Sequence, residues 1–160
     1  MASYFRESRN VELSTLEHLE TELAAAWSSV TVVKAFKQVY SKDTKLPVVC
    51  VRLSDSDITR KEIGSTALDT IFTILIDVFA KSDAQRLDLA DFINQTLKDS
   101  WDYKEYSHVS GNNKQIIGTP NGKCFVPAWG PNNKVEAFAN DEVKDRYRHL
   151  ITIDVRKNKY

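Results

Sequence analysis

Asp77 and Lys81 stand at the end of the apolar run Thr70–Ala80, TIFTILIDVFA followed by Lys81. A carboxylate followed by an ammonium at a strand end can hold a divalent cation against a scissile phosphate. That chemistry needs two or more carboxylates, because a hard cation takes several oxygen ligands. No second carboxylate can be assigned to an adjacent strand from the sequence. Asp77 is therefore expected to be hydrogen-bonded, paired with a basic group, or exposed at a subunit boundary.

The other reactive residue types are scattered. His18, His108 and His149 lie far apart and lack zinc-like spacing. His18 falls on the polar face of a predicted helix, and His149 falls among the apolar positions of a strand, which suits a hydrogen-bonded core or interface group. Cys50 and Cys124 have no close Cys or His partner and read as two reduced thiols. Asp55-Ser56-Asp57 lacks the glycine and the bidentate glutamate of a calcium loop. Lys114, Lys123 and Lys134, with Phe125 and Trp129, offer charge and rings for stacking single-stranded nucleic acid. The surrounding Asn and Pro residues point instead to a structured contact loop. No G-x-S-x-G elbow is present, and the loop before Ser82 is free of glycine, so neither an activated serine nor a phosphate cradle is expected. No catalytic, metal or cofactor-binding residue is assigned, no cofactor is expected, and the chain reads as a non-enzyme.

Composition narrows the classes further. The 160 residues carry 22 basic and 22 acidic side chains, for a formal net charge of zero. One domain with its own core is expected at this length. A freestanding nucleic-acid binder usually carries a basic excess, whereas zero net charge lowers the barrier to self-association. The start, MASYFRESRN, has no apolar core of a signal peptide. The most apolar stretch, Ala67–Ala80, is broken by Asp69, Thr70, Thr73 and Asp77 and is too short for a bilayer, which needs about 20 apolar residues. No membrane partner is expected, and folding in the cytoplasm follows.

The elements that would position these residues are legible from pattern. Residues 1–13 read as an N-terminal arm. Ser14-Thr15-Leu16-Glu17 has the form of a capping box, and Leu16, Leu19, Leu23 and Trp27 follow at helical spacing, predicting a helix over about 14–28. Val30–Tyr40 is rich in β-branched and aromatic residues and reads as a strand. Leu46-Pro47 opens a second strand, Val48–Leu53, with Val49, Val51 and Leu53 on one face. Ser54–Gly64 is charged and reads as a hairpin excursion or mobile loop. Leu68–Phe79 is apolar on both faces, the pattern of a central strand covered on two sides. Ser82 caps a second helix whose buried stripe is Leu89, Phe92, Ile93 and Leu97. Residues 107–134 hold four of the five glycines and three of the four prolines, and Pro120-Asn121-Gly122 predicts a hairpin between Ile116-Ile117 and Phe125-Val126. This excursion is expected to make partner contacts, and deletion of Asn112 to Asn133 within it is expected to spare the fold and impair assembly. Tyr147–Val155 alternates as a final strand, and Lys157–Tyr160 reads as a loose polar tail. The fold class is α+β: a single domain over 1–160, a mixed, mostly antiparallel sheet with two main helices packed on it and a long hairpin excursion at 107–134.

The order of these elements resembles the tail-terminator, or tail-completion, family of long-tailed bacteriophages. The likeness covers about residues 11–105 and the last strand, and rests on LPVVCVRL, the charged loop ending Ile63-Gly64, TIFTILIDVFA, the helix after Ser82-Asp83, and LITIDVRK. The resemblance implies a virion structural protein, assembled in the host cytoplasm. It would form a homo-oligomeric ring, a hexamer in most members, capping the head-proximal end of the tail tube. The ring would end tube polymerisation and offer a docking surface to the head-completion or connector protein, and genomic DNA would pass through it without specific recognition. Family members use no cofactor and make no bond, so no catalytic residue carries over. The alternatives are a head-side neck or connector protein of the same architecture and a small metal-dependent nuclease. The two polar excursions supply the candidate partner-contact residues: Arg60, Lys61, Glu62, Asn112, Asn113, Phe125 and Trp129.

Overall fold

The apolar alternation around Ile74 becomes a strand in the middle of the sheet. In a computed structural model of the chain, β3 (Leu68–Phe79) lies between β2 (Val48–Arg60) and β8 (Arg148–Lys159). The structure describes residues 6–110, 113–116, 120–135, 144 and 146–159, with 107–110 and 113–116 described by their backbone alone. The sheet is completed by β1 (Thr31–Val33), β4 (Trp101–Tyr103) and β7 (Gly122–Val135), in the order β1-β2-β3-β8-β7-β4. β1 is parallel to β2, every other pairing in this sheet is antiparallel, and the whole curls as a half-barrel. The α+β single domain expected from the sequence is the observed class.

Period-two burial on the strands meets helical stripes on one face. Val49, Val51, Phe72, Ile74, Ile76, Val78, Ile151, Ile153 and Val155 point inward. Leu16, Leu19 and Leu23 of α1 (Glu7–Ala26), Leu89 and Ile93 of α3 (Asp83–Thr96), and Leu97 at the α3 C-cap cover them. Each such side chain contributes about 1.5–3 kcal/mol of burial before its entropy cost. The α3 cap is as expected: the Ser82 hydroxyl accepts from the Gln85 amide at 3.2 Å, and the Gln85 side chain accepts from the Lys81 amide at 2.8 Å. On the opposite face a smaller cluster, Val39, Val48, Cys50 and Phe79, lies under the short helix α2 (Phe36–Val39).

Several expected boundaries differ. The arm predicted at 1–13 is helical from Glu7 onward, and residues 1–5 lie outside the described residues. Ser14 is no cap: it is buried in mid-helix, where its hydroxyl accepts from the Lys104 amide at 3.0 Å. Asn10, one turn earlier, accepts from the Tyr106 amide at 3.2 Å. A polar residue buried to serve a distant backbone group looks like a cap when only its neighbours are visible. The strand expected over Val30–Tyr40 is cut to three residues, because Phe36 and Tyr40 turn back onto the Phe79 ring, 5.9 and 6.2 Å away between centroids. The Leu46–Pro47 bond is cis, and the Pro47 carbonyl accepts from the Thr31 amide at 3.1 Å, joining β1 to the start of β2.

Of the two forms expected for Ser54–Gly64, the hairpin excursion is the one observed. β2 runs on to Arg60 and pairs with β3 out to Leu68, with Gly64 in the turn at φ 81°. A bulge between Leu53 and Asp55 bends the ribbon, and the Leu53 amide donates to the Glu12 carboxylate of α1 at 2.7 Å.

The 107–134 excursion is likewise built into the fold. β5 (Tyr106–Ser110) and β6 (Asn113–Ile116) pair with each other. Of the hairpin predicted around Pro120-Asn121-Gly122, residues 117–119 lie outside the described residues; among the described residues β7 pairs with β4 and β8 rather than with β6. Asn112 to Asn133 therefore cannot be removed with the fold spared, because that span takes most of a sheet strand. A Cβ on Gly122 would stand 2.1 Å from the Asn158 carbonyl oxygen, so only glycine admits this approach. Lys157–Lys159, expected to be loose, extend β8 against Gly122–Cys124, while Tyr160 lies outside the described residues.

Candidate assembly surface

The β2–β3 ribbon outruns the rest of the sheet. β3 pairs with β8 from Phe79↔Arg148 to Phe72↔Val155, whereas β2 and β3 stay paired on to Arg60↔Leu68. Beyond Phe72 the ribbon and the β7–β8 pair form the two prongs of a fork. Between them lies an open groove of about 990 Å³, lined by Ile58, Arg60, Leu68 and Phe72 on one side and Phe125 and Lys157 on the other, with Glu7 and Ser8 at its edge. Ile58 and Leu68 are 57% and 55% exposed, and Ile63 at the tip is fully exposed. Period-two alternation carried these side chains past the end of the helices that would have covered them.

The charges around the groove are mostly neutralised within the chain. Arg156 pairs with Asp69 at 3.2 Å, Lys157 with Glu7 at 2.8 Å, and Arg60 donates to the Ser65 carbonyl at 2.8 Å.

The fold brings some of the predicted contact residues together. Arg60 ends β2, Lys61 and Glu62 follow in the exposed turn, and Arg60, Lys61 and Phe125 line the same groove. Trp129 is elsewhere on β7, opposite Ile153 between two register shifts, and 42% exposed. Asn113 opens β6 opposite Ser110 in the separate two-stranded sheet, and Asn112 lies outside the described residues. Sequence reasoning missed Ile58, Leu68, Asp69, Arg156 and Lys157. The signal was the apolar pair Ile58 and Leu68 flanking the turn at Gly64, set among charged residues that pointed to a hairpin excursion or a loop.

Asp77 is fully buried on the face opposite α1 and α3, and both of its oxygens are taken. Arg148 Nε and Nη2 donate to Oδ1 at 2.9 and 2.7 Å, and Arg52 Nη2 donates to Oδ2 at 3.0 Å. The two guanidinium carbons stand 4.9 and 5.0 Å from the Phe36 ring centre. This is the pairing with basic groups expected as one of three options. Three of the carboxylate's four lone-pair sites are thus occupied by guanidinium N–H groups, and among the described residues no group of three His, Cys, Asp or Glu side chains is placed to hold a metal. Lys81 is exposed beyond the strand end.

The remaining reactive types are structural. His149 is buried, its Nδ1 accepting from Arg86 and its Nε2–H donating to Asn132, which sets a neutral tautomer. Burial, and then the Arg86 charge, hold its pKa below the ordinary histidine value. His18 is half-buried, not on an open face: its ring stacks on Trp101 with centroids 5.5 Å apart, and burial lowers its pKa. Burial pushes the Cys50 thiol up to about 11 and the Cys124 thiol up to about 12, so both stay protonated at neutral pH. The Tyr106 hydroxyl donates to Glu17, which also pairs with Lys104 at 2.8 Å, tying α1 to the segment after β4.

No protein-family model matches the chain, and no curated protein matches it. No helix among the described residues is long and apolar enough to cross a membrane.

Proposed function

We propose that this protein is a tail terminator of a long-tailed phage. It is a ring subunit, six to a ring, that caps the head-proximal end of the tail tube and receives the head-completion or connector protein on its other side. It is a component of the virion tail, and the genome passes through the ring without base-specific contact. The observation that supports this reading is the unequal covering of the sheet. The two long helices occupy one face. Among the described residues the other face carries only α2 at one end, leaving Ile71, Leu75 and Leu150 partly exposed, and the ribbon bearing Ile58, Ile63 and Leu68 projects uncovered. Such surface suits contact with sister copies through a heterologous interface that closes by rotation. Each contact needs at least about 1,000 Å² to persist. Termination is then geometric: one face of the ring matches the tube end, and the other offers the next tube subunit nothing to bind.

Particles assembled without this protein, viewed by negative stain, test the reading. Overlong tails without heads are expected. Tails of normal length without heads would identify a head-side neck protein instead. A strictly monomeric species at all concentrations, with and without tail tubes, would overturn the proposal. DNA cleavage on titration with a divalent metal would establish the nuclease alternative.

A further inference from the structure

Lysine pairing divides the molecule unevenly. Many ammonium groups are taken within the chain: Lys34 by Glu12, Lys104 by Glu17, Lys123 by Asp102, and Lys157 and Lys159 by Glu7. Among the described side chains, Lys37, Lys42, Lys45, Lys61 and Lys81 are exposed and their ammonium groups have no carboxylate or other hydrogen-bonding partner. Lys61 is at the ribbon tip. The other four gather at the opposite end of the sheet. There β2, β3 and β8 are in register, Val48 with Phe79 and Phe79 with Arg148. Lys45 precedes Val48 and Lys81 follows Phe79, so both leave the sheet at this edge. Phe36 and Tyr40 pack on the Phe79 ring, which brings Lys37 of α2 and Lys42 of the following turn to the same end.

The turn that carries Lys42 and Lys45 is held without being neutralised. Lys144 Nζ donates to the carbonyls of Val39, Ser41 and Thr44 at 2.8, 2.7 and 2.5 Å. A cation fastens the turn, and its charge adds to that of the four lysines. Of the described carboxylates near this edge, Asp77 is buried between Arg52 and Arg148, Asp83 is paired with Arg86, and Asp43 is exposed. In a chain of zero net charge, the unpaired positive charge is therefore concentrated at one end. Protein interfaces have apolar centres depleted of charge, whereas the large apolar side chain most exposed here is Tyr40, at 43%. A surface rich in cations and poor in apolar area fits the phosphate backbone of a nucleic acid. α2 has only four residues, too few to lay a helix along a major groove and read bases. We propose that Lys37, Lys42, Lys45 and Lys81 form a surface for the phosphate backbone of double-stranded DNA. It deepens the tail-terminator reading and rests on it for the source of that DNA, the genome in passage, which meets the surface once per subunit around the ring.

Fluorescence anisotropy of the full chain with a labelled duplex of mixed sequence, about 30 base pairs long, tests this. Dissociation constants of about 10⁻⁴–10⁻⁶ M are expected, equal for duplexes of different sequence. With four phosphates neutralised, affinity should fall about 150-fold between about 50 and 200 mM salt. Replacing all four lysines by glutamine should weaken binding at low salt about 100-fold and leave the melting temperature unchanged, since the four side chains are exposed. Lys61→Gln, equally unpaired but at the other end, should leave affinity within about twofold. No binding at low salt, undiminished binding by the fourfold variant, or an equal loss in Lys61→Gln would overturn the proposal. So would tighter binding of polyglutamate than of duplex, which would make the partner an acidic protein surface. Tail length in particles lacking the protein is measured separately, so failure of this surface and failure of the tail-terminator reading are distinguishable.

Discussion

β2 and β3 are each a single strand, yet their two halves sit in different surroundings. At one end Val48–Val51 and Ile76–Phe79 are buried, between α1 and α3 on one side and α2 on the other. At the other end Asp55–Arg60 are exposed along their whole length. The boundary is the bulge after Leu53, where the Glu12 carboxylate takes the strand amide. The backbone ladder continues across it unchanged in kind. Pairing alone thus builds the ribbon, and burial decides which half is core. The covered half should fail when its packing or its buried charges are disturbed, and the projecting half should tolerate change in stability while losing contacts.

Substitutions graded along that contrast separate the two halves. Ile93→Asp places an unpaired charge among Leu16, Leu89 and the β3 residues, and is expected to abolish cooperative folding in a thermal melt followed by circular dichroism. Asp77→Ala leaves Arg52 and Arg148 without their shared carboxylate. It should lower the unfolding free energy in urea by about 3–5 kcal/mol, toward the smaller figure because Arg52 is partly exposed. Gly122→Ala forces a methyl against the Asn158 carbonyl and should cost about 1–3 kcal/mol in the same measurement.

The pH response of the covered half has a definite sign. His149 and His18 have folded pKa values below the ordinary 6.5, so the unfolded chain binds more protons as pH falls through that value. Stability should therefore be full above about pH 6.5 and decline below it, with a slope of at most about 1.4 kcal/mol per pH unit for each histidine. Urea titrations of His149→Gln at several pH values should show a shallower decline; an unchanged slope would mean that His149 is protonated in the folded protein. On the projecting half, Ile58→Ser with Leu68→Ser should change stability by no more than about 0.5 kcal/mol, yet reduce the assembled mass measured by sedimentation. A large loss of stability there would erase the contrast between the halves.

Much of the covered half was readable in advance. The pattern predicts β3 to the residue, and Leu89 and Ile93 of α3, with Ser82 and Leu97 at its two caps, carry the roles their spacing predicts, because cap and stripe are local signals. His149 was rightly read as a hydrogen-bonded group among apolar neighbours. The candidate surface was read less well. Arg60, Lys61 and Phe125 proved to share a groove, but Ile58, Leu68 and Arg156 were overlooked, because a strand with polar residues on both faces has no one-sided pattern. β7 is hidden in the sequence for a different reason: its Gly, Pro and Asn residues serve bulges and a close approach to β8, and they look like loop punctuation.

Local periodicity, caps and charge balance thus determined by themselves an α+β domain with an apolar central strand and a helix laid against it, because those signals lie within a few residues of each other. Only the tertiary structure decided that Asn10 and Ser14 serve the Lys104–Tyr106 backbone, that Arg52 and Arg148 converge on Asp77, and that β2–β3 and β7–β8 part into a fork. Those partners stand 25 to 96 residues apart in the chain. Side-chain identity does not encode the partner when contact distance is set by how the sheet curls.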